Sequence, residues 1–385
     1  METENNKLAT WRMNMKVYSI LKSENGDIFE TVKAFFTRLF EEGVIDYLLV
    51  PQRISNGRTL TQTLIKGVDN LDGVNPFSPV MAINSAKLVA QVGSAESDKK
   101  VGVVIKPCEI RALIELFKLS QAKLDNLVII GIDCAGTFEI EAWAKLMEEA
   151  GGDISKETEI LKDIYSGKTD YHDEDAAIRL RSACQICASF THDKADITLS
   201  ILGMGDEVLV NLDSELAERL GLETTEEPSS HKDVLEELKS YRTYKRESTL
   251  DEFRDKMQSM NDMADILSTC TRCYACQTAC PICYCRVCFF RTETFSPESD
   301  RLLRWADKEG TLRMPTEILL YHLTRLNHIA ASCIGCGMCE SSCARGIPLS
   351  TLFQTVGDEV QKKLEYVPGR SIDEELPVAT FKKEE

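Results

Sequence analysis

Two stretches of sequence determine how the carboxyl-terminal half of this chain folds. They are CTRCYACQTACP, from Cys270 to Pro281, and CIGCGMCESSC, from Cys333 to Cys343. Each has the spacing Cys-x-x-Cys-x-x-Cys-x-x-x-Cys, and the first run is followed directly by a proline. Three closely spaced cysteines can place three thiolates on the iron corners of one cubane, whereas the fourth ligates the other cluster in two-cluster ferredoxins. The two runs therefore predict two 4Fe-4S clusters.

The fourth cysteine of each run is expected to ligate the cluster of the other run. The predicted ligands of the first cluster are Cys270, Cys273, Cys276 and Cys343, and those of the second cluster are Cys333, Cys336, Cys339 and Cys280. Zinc is the alternative, because Cys-x-x-Cys pairs also build sites with four thiolates. Zinc sites usually use two such pairs rather than three consecutive steps followed by a longer one. The spacing therefore favours iron-sulfur clusters.

The residues around the two runs have the pattern of helices. Apolar side chains recur with a helical period at 253–267, 302–305, 318–329 and 349–364. Residues 281–332, between the runs, are too many for a minimal ferredoxin, and we expect 249–365 to form a mainly helical ferredoxin-like domain with two clusters. Residues 223–248 are predicted to form a linker and a helix, with 223–232 as a polar loop. Residues 366–385 are expected to be an extended arm, either solvated or laid on a partner.

The amino-terminal half has a different periodicity. The sequences VGVVI at 101–105 and LVIIGI at 127–132 are typical of buried strands, and residues 109–119 between them have the period of a helix. Strand, helix and strand joined by short connections predict a βαβ unit and a parallel sheet. Residues 28–39 predict a further helix that leads into a strand. We therefore expect residues 1–222 to form an α/β domain.

Four cysteines of the amino-terminal half are candidates for a third site. Cys108 follows one strand of the βαβ unit, Cys134 follows the next, and Cys184 and Cys187 form a Cys-x-x-Cys pair. Parallel strands bring Cys108 and Cys134 to the same edge of the sheet, where α/β folds place ligands. The four thiols together predict a split 4Fe-4S cluster, and the alternative is that each is an inert buried thiol.

Three cysteines remain outside these sites, in the sequence PICYCRVCFF. They are Cys283, Cys285 and Cys288. They either pack around the neighbouring clusters as buried thiols or belong to an extra site completed by a non-cysteine ligand or by a partner chain.

Composition restricts the class of protein further. The chain has 385 residues and a formal net charge of -17, so that phosphate would be repelled along most of its surface and no nucleic-acid partner is expected. The amino terminus lacks the apolar segment of a secretory signal, and no apolar run approaches the about 20 residues that span a bilayer. We expect a cytoplasmic protein without a transmembrane segment. Its five histidines show no metal-binding spacing, and no catalytic residue is assigned.

The order of motifs in the amino-terminal half resembles a known family. VIKPCEIRAL, IGIDCAG and CQICASFTHDKADITLSILGMGD are similar to the beta subunits of coenzyme F(420)-reducing hydrogenase and of related formate dehydrogenases. The similarity extends over roughly residues 28–365, and its characteristic positions are Pro107, Cys108, Cys184, Cys187, Ala195, Asp196, Ile197, Gly203 and Gly205. The resemblance implies FAD in the α/β domain near the split cluster, with Lys106, Gly203 and Gly205 close to the flavin.

The resemblance implies an electron-transfer subunit of an anaerobic oxidoreductase complex. It would relay electrons between FAD and a partner through three 4Fe-4S clusters, the partner being a formate dehydrogenase, a hydrogenase or a heterodisulfide-reductase-like flavoprotein. One alternative is a dehydrogenase subunit that reacts directly with deazaflavin coenzyme F(420) or a nicotinamide, and another is a relay without flavin. Where deazaflavin-using members have two glycines before the first helix, this chain has only Gly26, which favours a protein partner.

Overall fold

A mixed sheet organises the amino-terminal half of the chain. The computed structural model describes residues 15–23, 26–53, 60–151, 153–167, 178–295 and 297–377. In these residues eight strands form one sheet in the order β3-β2-β4-β5-β6-β7-β1-β8. The strands are β1 (Lys16–Leu21), β2 (Tyr47–Arg53), β3 (Leu60–Lys66), β4 (Val101–Ile105), β5 (Leu127–Ile132), β6 (Ile197–Ser200), β7 (Val208–Asp213) and β8 (Thr224–Thr225).

The centre of the sheet is parallel and its two flanks are antiparallel. β2, β4, β5 and β6 pair in parallel, whereas β3, β7, β1 and β8 join through antiparallel pairs. The predicted βαβ unit is confirmed, with Val101 of β4 in register with Leu127 of β5. The all-parallel expectation holds only for the centre, because the short connections between β2 and β3 and between β6 and β7 permit antiparallel pairing alone.

Several helices of this half begin at recognisable caps. The helices of this half are α1 (Ile28–Glu41), α2 (Ala86–Gly93), α3 (Pro107–Lys118), α4 (Ile140–Glu149), α5 (Ile154–Tyr165), α6 (Ser182–Gln185) and α7 (Ser214–Arg219). In α1 the Asp27 carboxylate accepts hydrogen bonds from the backbone of Phe29 and Glu30. In α3 a proline occupies the first helical position and the Glu109 side chain accepts from the Lys106 backbone at 2.8 Å. This cap fixes the orientation of the helix that carries Cys108.

The carboxyl-terminal region is helical, as its periodicity predicts. Its helices are α8 (Ser229–Lys256), α9 (Met260–Ile266), α10 (Ala275–Ala279), α11 (Ser299–Glu309), α12 (Ile318–Ile329), α13 (Met338–Ser341) and α14 (Leu349–Lys363). The structure differs from the expected linker at 223–232, because β8 pairs with β1 and α8 begins at Ser229. The predicted helix at 253–267 is interrupted, since Ser259 caps the start of a new helix by accepting from Asp262.

The two regions share a hydrophobic core. Val103 and Ile105 of β4 belong to the same cluster of buried residues as Phe353 of α14, and α3 contributes Leu113 and Leu116 to it. Neighbouring residues such as Val104 point to the opposite face of the sheet and join a second core with α1. The redox motifs of the carboxyl-terminal region are therefore packed directly on one face of the α/β sheet.

The described part of the predicted arm lies on the α/β region of the same chain. The Glu115 carboxylate of α3 accepts hydrogen bonds from the Tyr366 hydroxyl at 2.5 Å and from the Gly369 backbone at 2.8 Å. A Cβ on Gly369 would lie 2.4 Å from Cα of Arg111, so the backbone there is in close contact with α3. Residues 378–385 of the arm lie outside the described residues. No helix of the described residues is long and apolar enough to cross a membrane.

Candidate metal centres

The second cysteine run forms one wall of a cavity. The thiols that line it are Cys280, Cys333, Cys336 and Cys339. Three of them come from the second run and one from the first. Ile282, Ile329 and Phe353 line the same cavity and make its wall apolar.

The first run lines a separate cavity of about 350 Å³. Its thiols are Cys270, Cys273, Cys276 and Cys343. The eight cysteines are thus grouped in the crossed combination that the spacing predicts. Within the described residues, no three His, Cys, Asp or Glu side chains are placed to hold a single metal ion. The thiols of each set are spread around a cavity and do not converge on one point.

Two left-handed residues per run bend the chain around its cavity. In the second run they are Gly335 and Gly337, with φ of 69° and 73°, and in the first run the equivalent positions are Arg272 and Tyr274, with φ of 53° and 64°. A Cβ on Gly337 would lie 2.4 Å from Cβ of Ala183. Glycine is therefore required in the second run by close packing as well as by φ. The first run contains the same turn without glycine, which costs about 1–2 kcal/mol per residue.

Helix α12 supplies polar contacts to the first cavity. Arg325 is 4% exposed, and its Nη1 donates to Sγ of Cys276 at 3.0 Å while Nη2 donates to the Cys276 carbonyl at 3.3 Å. Nε2 of His322 lies 3.5 Å from Sγ of Cys270. Burial, together with the charge of Arg325, lowers the pKa of His322 to about 3, so the imidazole is neutral at pH 7. The segment between the runs therefore shields and polarises the cysteines of the first.

Burial also affects the thiols of the second cavity. Burial raises the pKa of Cys333 to about 11 and that of Cys336 to about 12. Cys280 behaves differently, because its interaction with the neighbouring Cys283 thiol lowers its pKa. A buried thiolate needs a compensating positive charge, which a metal or an arginine supplies. Cys283, left unassigned by the sequence, therefore lies against a predicted ligand.

The cysteines of the predicted split site influence one another's pKa. Burial raises the pKa of Cys108, and the charges of Glu109, Cys336, Cys134 and Cys187 raise it further. The pKa of Cys134 is likewise raised by burial and by Cys184, and lowered by the charge of Lys106. The chain after β5 is held by a hydrogen bond from the Cys134 backbone to the Phe190 carbonyl at 2.9 Å. That the strand ends and the Cys-x-x-Cys pair meet at one edge of the sheet stays a prediction.

Arg181 joins the split site to the second run. Its guanidinium is buried and donates to the Cys336 carbonyl at 2.6 Å, to Ser341 Oγ at 3.0 Å and to Thr137 Oγ1 at 3.2 Å. The Thr137 hydroxyl also lies 3.4 Å from Sγ of Cys184. One cation therefore connects three segments that are far apart in sequence.

A cavity beside the split site contains one of the three residues predicted to be near a flavin. Lys106 lines a space of about 430 Å³ with Val104, Ile105 and Ile132, at the carboxyl ends of β4 and β5. Its Nζ donates to the Ser78 carbonyl at 2.9 Å. Gly203 and Gly205 do not line this cavity. They lie between β6 and β7, where a Cβ on Gly203 would be 2.4 Å from the Ser230 carbonyl oxygen of α8.

A further cavity, which the sequence did not indicate, is lined by several polar side chains. Its volume is about 670 Å³, and its lining includes Asp133, Ser200 and His231. Nε2 of His231 lies 3.0 Å from Ser200 Oγ and 3.3 Å from Asp133 Oδ2, and Nδ1 lies 3.0 Å from Glu227 Oε1. Burial lowers the pKa of His231, but the two carboxylates outweigh burial and the net shift is upward. His172 lies outside the described residues.

The spacing of the histidines gave His322 no role, and no motif singled out Arg181 or Arg325. The only signal for the last was an arginine within an otherwise apolar helical run, one turn after a histidine. No local pattern marks Arg181, because its partners are 44, 155 and 160 residues away.

Two family models match separate parts of the chain. Residues 98–212 match the model for the carboxyl-terminal part of the coenzyme F(420) hydrogenase/dehydrogenase beta subunit. Residues 266–347 match the model for a 4Fe-4S dicluster domain. The first match covers β4 to β7 with all four cysteines of the split site, and the second covers both cysteine runs. The predicted resemblance is confirmed.

Similar proteins occur in methanogens. The F(420)-dependent formate dehydrogenase subunit beta of Methanocaldococcus jannaschii is 27% identical over 94% of this chain and 98% of that protein. The F(420)-dependent formate dehydrogenase 1 subunit beta of Methanococcus maripaludis is 27% identical over 92% of this chain and 94% of that protein.

Among solved structures, a chain of the xenon-derivatised F(420)-reducing nickel-iron hydrogenase complex of Methanosarcina barkeri has a TM-score of 0.45 and 15% identity. The match covers 96% of that chain and 65% of this chain, and its TM-score is too low to support a conclusion about the fold. Within one chain, residues 98–212 are therefore similar to the carboxyl-terminal part of the coenzyme F(420) hydrogenase/dehydrogenase beta subunit, and residues 266–347 are similar to a 4Fe-4S dicluster domain.

Proposed function

We propose that this chain is the iron-sulfur electron-transfer subunit of an oxidoreductase complex of the formate dehydrogenase or F(420) hydrogenase kind. The observation that carries the proposal is the pair of four-cysteine cavities in crossed combination, within residues that match a dicluster domain. The relatives that match almost the whole chain are named as beta subunits of formate dehydrogenases, which are oxidoreductases. The partners are accordingly other subunits of such a complex.

Two ligand sets follow from the cavities. We assign Cys270, Cys273, Cys276 and Cys343 to the first cluster, and Cys333, Cys336, Cys339 and Cys280 to the second. A bound 4Fe-4S cluster supplies one-electron transfer. The chain supplies the surroundings: Ile329 and Phe353 exclude water from the second cavity, and Arg325 donates a charge-assisted hydrogen bond to Cys276.

We propose in addition a third 4Fe-4S cluster at the split site. Cys108, Cys134, Cys184 and Cys187 are the proposed ligands, and the mutual influence of their charges on pKa supports their proximity. The position of Arg181 between these cysteines and Cys336 supports a direct connection to the second cluster. The proposed route therefore enters through residues 1–222 and leaves through residues 249–365, with 223–248 between them and the 366–385 arm outside the route.

FAD beside the split site is proposed on the resemblance and on the cavity that contains Lys106. When bound, FAD accepts a hydride as two electrons and releases them singly. The buried Lys106 ammonium would face a flavin at the carboxyl ends of β4 and β5, where open α/β sheets bind ligands. Gly203 and Gly205 stay predictions from the resemblance alone, because they lie at another place in the fold.

Metal and flavin content of anaerobically purified protein test the proposal. Three clusters correspond to about twelve irons per chain, and two clusters to about eight. The change Cys184→Ser should lower iron by about four per chain and leave the two ferredoxin-type clusters in place. About eight irons in the wild-type protein, or unchanged iron in the variant, would contradict the proposed split cluster. Absence of extractable FAD would contradict the proposed flavin site.

A second candidate function is a dehydrogenase that exchanges hydride with coenzyme F(420) directly. The observation in its favour is that both relatives with nearly full coverage are named as F(420)-dependent. Anaerobic mixing with reduced F(420) and, separately, with NADH distinguishes the candidates. Bleaching of the protein's flavin by either reagent supports direct reaction with that coenzyme, whereas reduction only through a co-purified protein supports the electron-transfer role.

A further inference from the structure

A loop beside the first cysteine run exposes apolar side chains. This loop, residues 283–291, is called the exit loop below. Val287 is 76% exposed, Phe289 is 59% exposed and Tyr284 is 40% exposed. Single exposed apolar residues are ordinary, but three in one short loop form a surface that water solvates poorly.

The exit loop is fixed in place at both ends. At one end, Lys87 of α2 donates to the Cys283 carbonyl at 2.8 Å. At the other, the Tyr274 hydroxyl donates to the Phe290 carbonyl at 2.6 Å, and the buried Phe290 ring packs edge-on against Tyr321 at 5.2 Å. Val287 and Phe289 are therefore presented to solvent by an anchored segment, which lowers the entropy cost of binding a partner.

The exit loop lies next to the most accessible predicted cluster ligand. Of the twelve predicted ligands, all of which fall in the described part of the chain, Cys273 alone is exposed. Its neighbour Tyr274 carries the Arg291 guanidinium over its ring, at 5.0 Å from the centroid. The anchored loop and the accessible thiol are thus joined through Tyr274.

This surface has the opposite charge to the rest of the protein. The chain has a formal net charge of -17, yet residues 270–292 contain three arginines and no carboxylate. Arg272 is paired with Glu317, whereas Arg286 and Arg291 are exposed, as is Arg345 in the lining of the Cys273 cavity. A basic rim around an apolar centre is complementary to an acidic protein surface.

We propose that the exit loop docks an acidic redox protein or subunit, with electrons crossing between the two proteins at Cys273. The inference rests on the proposed function and adds the exit point and the chemistry of the partner. In each crossing one electron leaves the chain, which is oxidised by one equivalent, and the partner's redox centre is reduced by one. No bond or proton is exchanged.

Small acceptors of opposite charge test the exit point. The chain is reduced, freed of reductant and mixed in a stopped-flow instrument with ferricyanide or with hexaamminecobalt(III). At low salt, the double change Arg286→Glu and Arg291→Glu should slow electron transfer to ferricyanide at least about tenfold, because charges near a reactive site steer ionic reactants. The same change should accelerate electron transfer to the cobalt complex. Lys145→Glu in α4, applied together with Lys156→Glu in α5, is the matched control with the same change in net charge. Equal effects of the two double variants would overturn the proposed exit point.

An acidic two-cluster ferredoxin is the probe for the docking surface. Val287→Asp should slow its reduction at least about tenfold at equal iron content, whereas Val287→Thr should keep most of the rate. Failure of the wild-type chain to reduce this ferredoxin while it reduces ferricyanide would overturn the acidic partner. A wild-type dimer that Val287→Asp dissociates would also overturn it, since a second copy would then occupy the surface. A chain that lacks clusters and reduces no acceptor would instead contradict the proposed function.

Discussion

The two cysteine runs have the same spacing but opposite surroundings. The first surrounds a cavity with an exposed thiol, Cys273, and takes its polar contacts from α12 of the segment between the runs. The second is closed by the α/β region, through Arg181 and the contact of Gly337 with Ala183. One motif therefore serves two positions, one towards solvent and one towards the interior. The difference lies in the residues around the cysteines, not in the cysteines themselves.

The largest expected effect follows from removing the positive charge of Arg325, which contacts Cys276 in the first cavity. Arg325→Met should lower the free energy of unfolding by about 3–5 kcal/mol, because it removes one partner of a buried, charge-assisted contact. It should also lower the reduction potential of the cluster assigned to Cys276, because the positive charge beside that cysteine is lost. A tenfold change in the one-electron equilibrium constant corresponds to a shift of about 59 mV. Anaerobic urea unfolding and potentiometry followed by electron paramagnetic resonance measure both.

Arg325→Lys is the control for this change, because it keeps the charge and loses the planar fork. Its potential should lie closer to that of the wild type than the potential of the methionine variant does. Equal potentials in all three proteins would show that the arginine does not set the electrostatics of the first cavity.

The next effect concerns the glycines of the second run. Gly337→Ala should cost about 2–4 kcal/mol, since the left-handed backbone costs about 1–2 kcal/mol and the contact with Ala183 adds an overpacking cost of similar size. Gly346 is the matched control, because it has a φ of 61° and nothing within 4 Å of an added Cβ. Gly346→Ala should cost only the backbone part. Equal costs in thermal unfolding would mean that the second run is not packed against the α/β region.

The smallest effect is at Cys283. Cys283→Ala removes the thiol that interacts with Cys280 and should lower the free energy of unfolding by no more than about 1 kcal/mol, the net value of one hydrogen bond. Iron content should stay unchanged, while the potential of the second cluster falls because its ligand loses a hydrogen bond. Loss of about four irons would instead make Cys283 a ligand. Iron analysis and redox titration of the same sample decide between these outcomes.

The sequence predicts those features that depend on short spacing. The crossed grouping of Cys280 and Cys343 and the βαβ unit that carries Cys108 both follow from patterns within a few residues. The contacts of Arg181 and Arg325 could not be predicted, because each joins segments that only the packed chain brings together. The helix from Ser229 was expected in part as a loop, since its polar surface hides the period that burial of Leu238 and Leu250 gives it. The glycines of the second run were visible in the sequence, but the reason for them was not.

The crossed grouping of thiols constrains when the chain can mature. The first cavity is completed only by Cys343, and the second needs Cys280 together with residues that follow it by more than fifty positions. A ribosome-bound chain that ends within the intervening segment has neither cavity. With the proposed ligand sets, metal loading at both sites is a late event that follows synthesis of nearly the whole polypeptide. A protease cut in that segment would leave each site shared between two fragments, so that the metal would hold the severed pieces together.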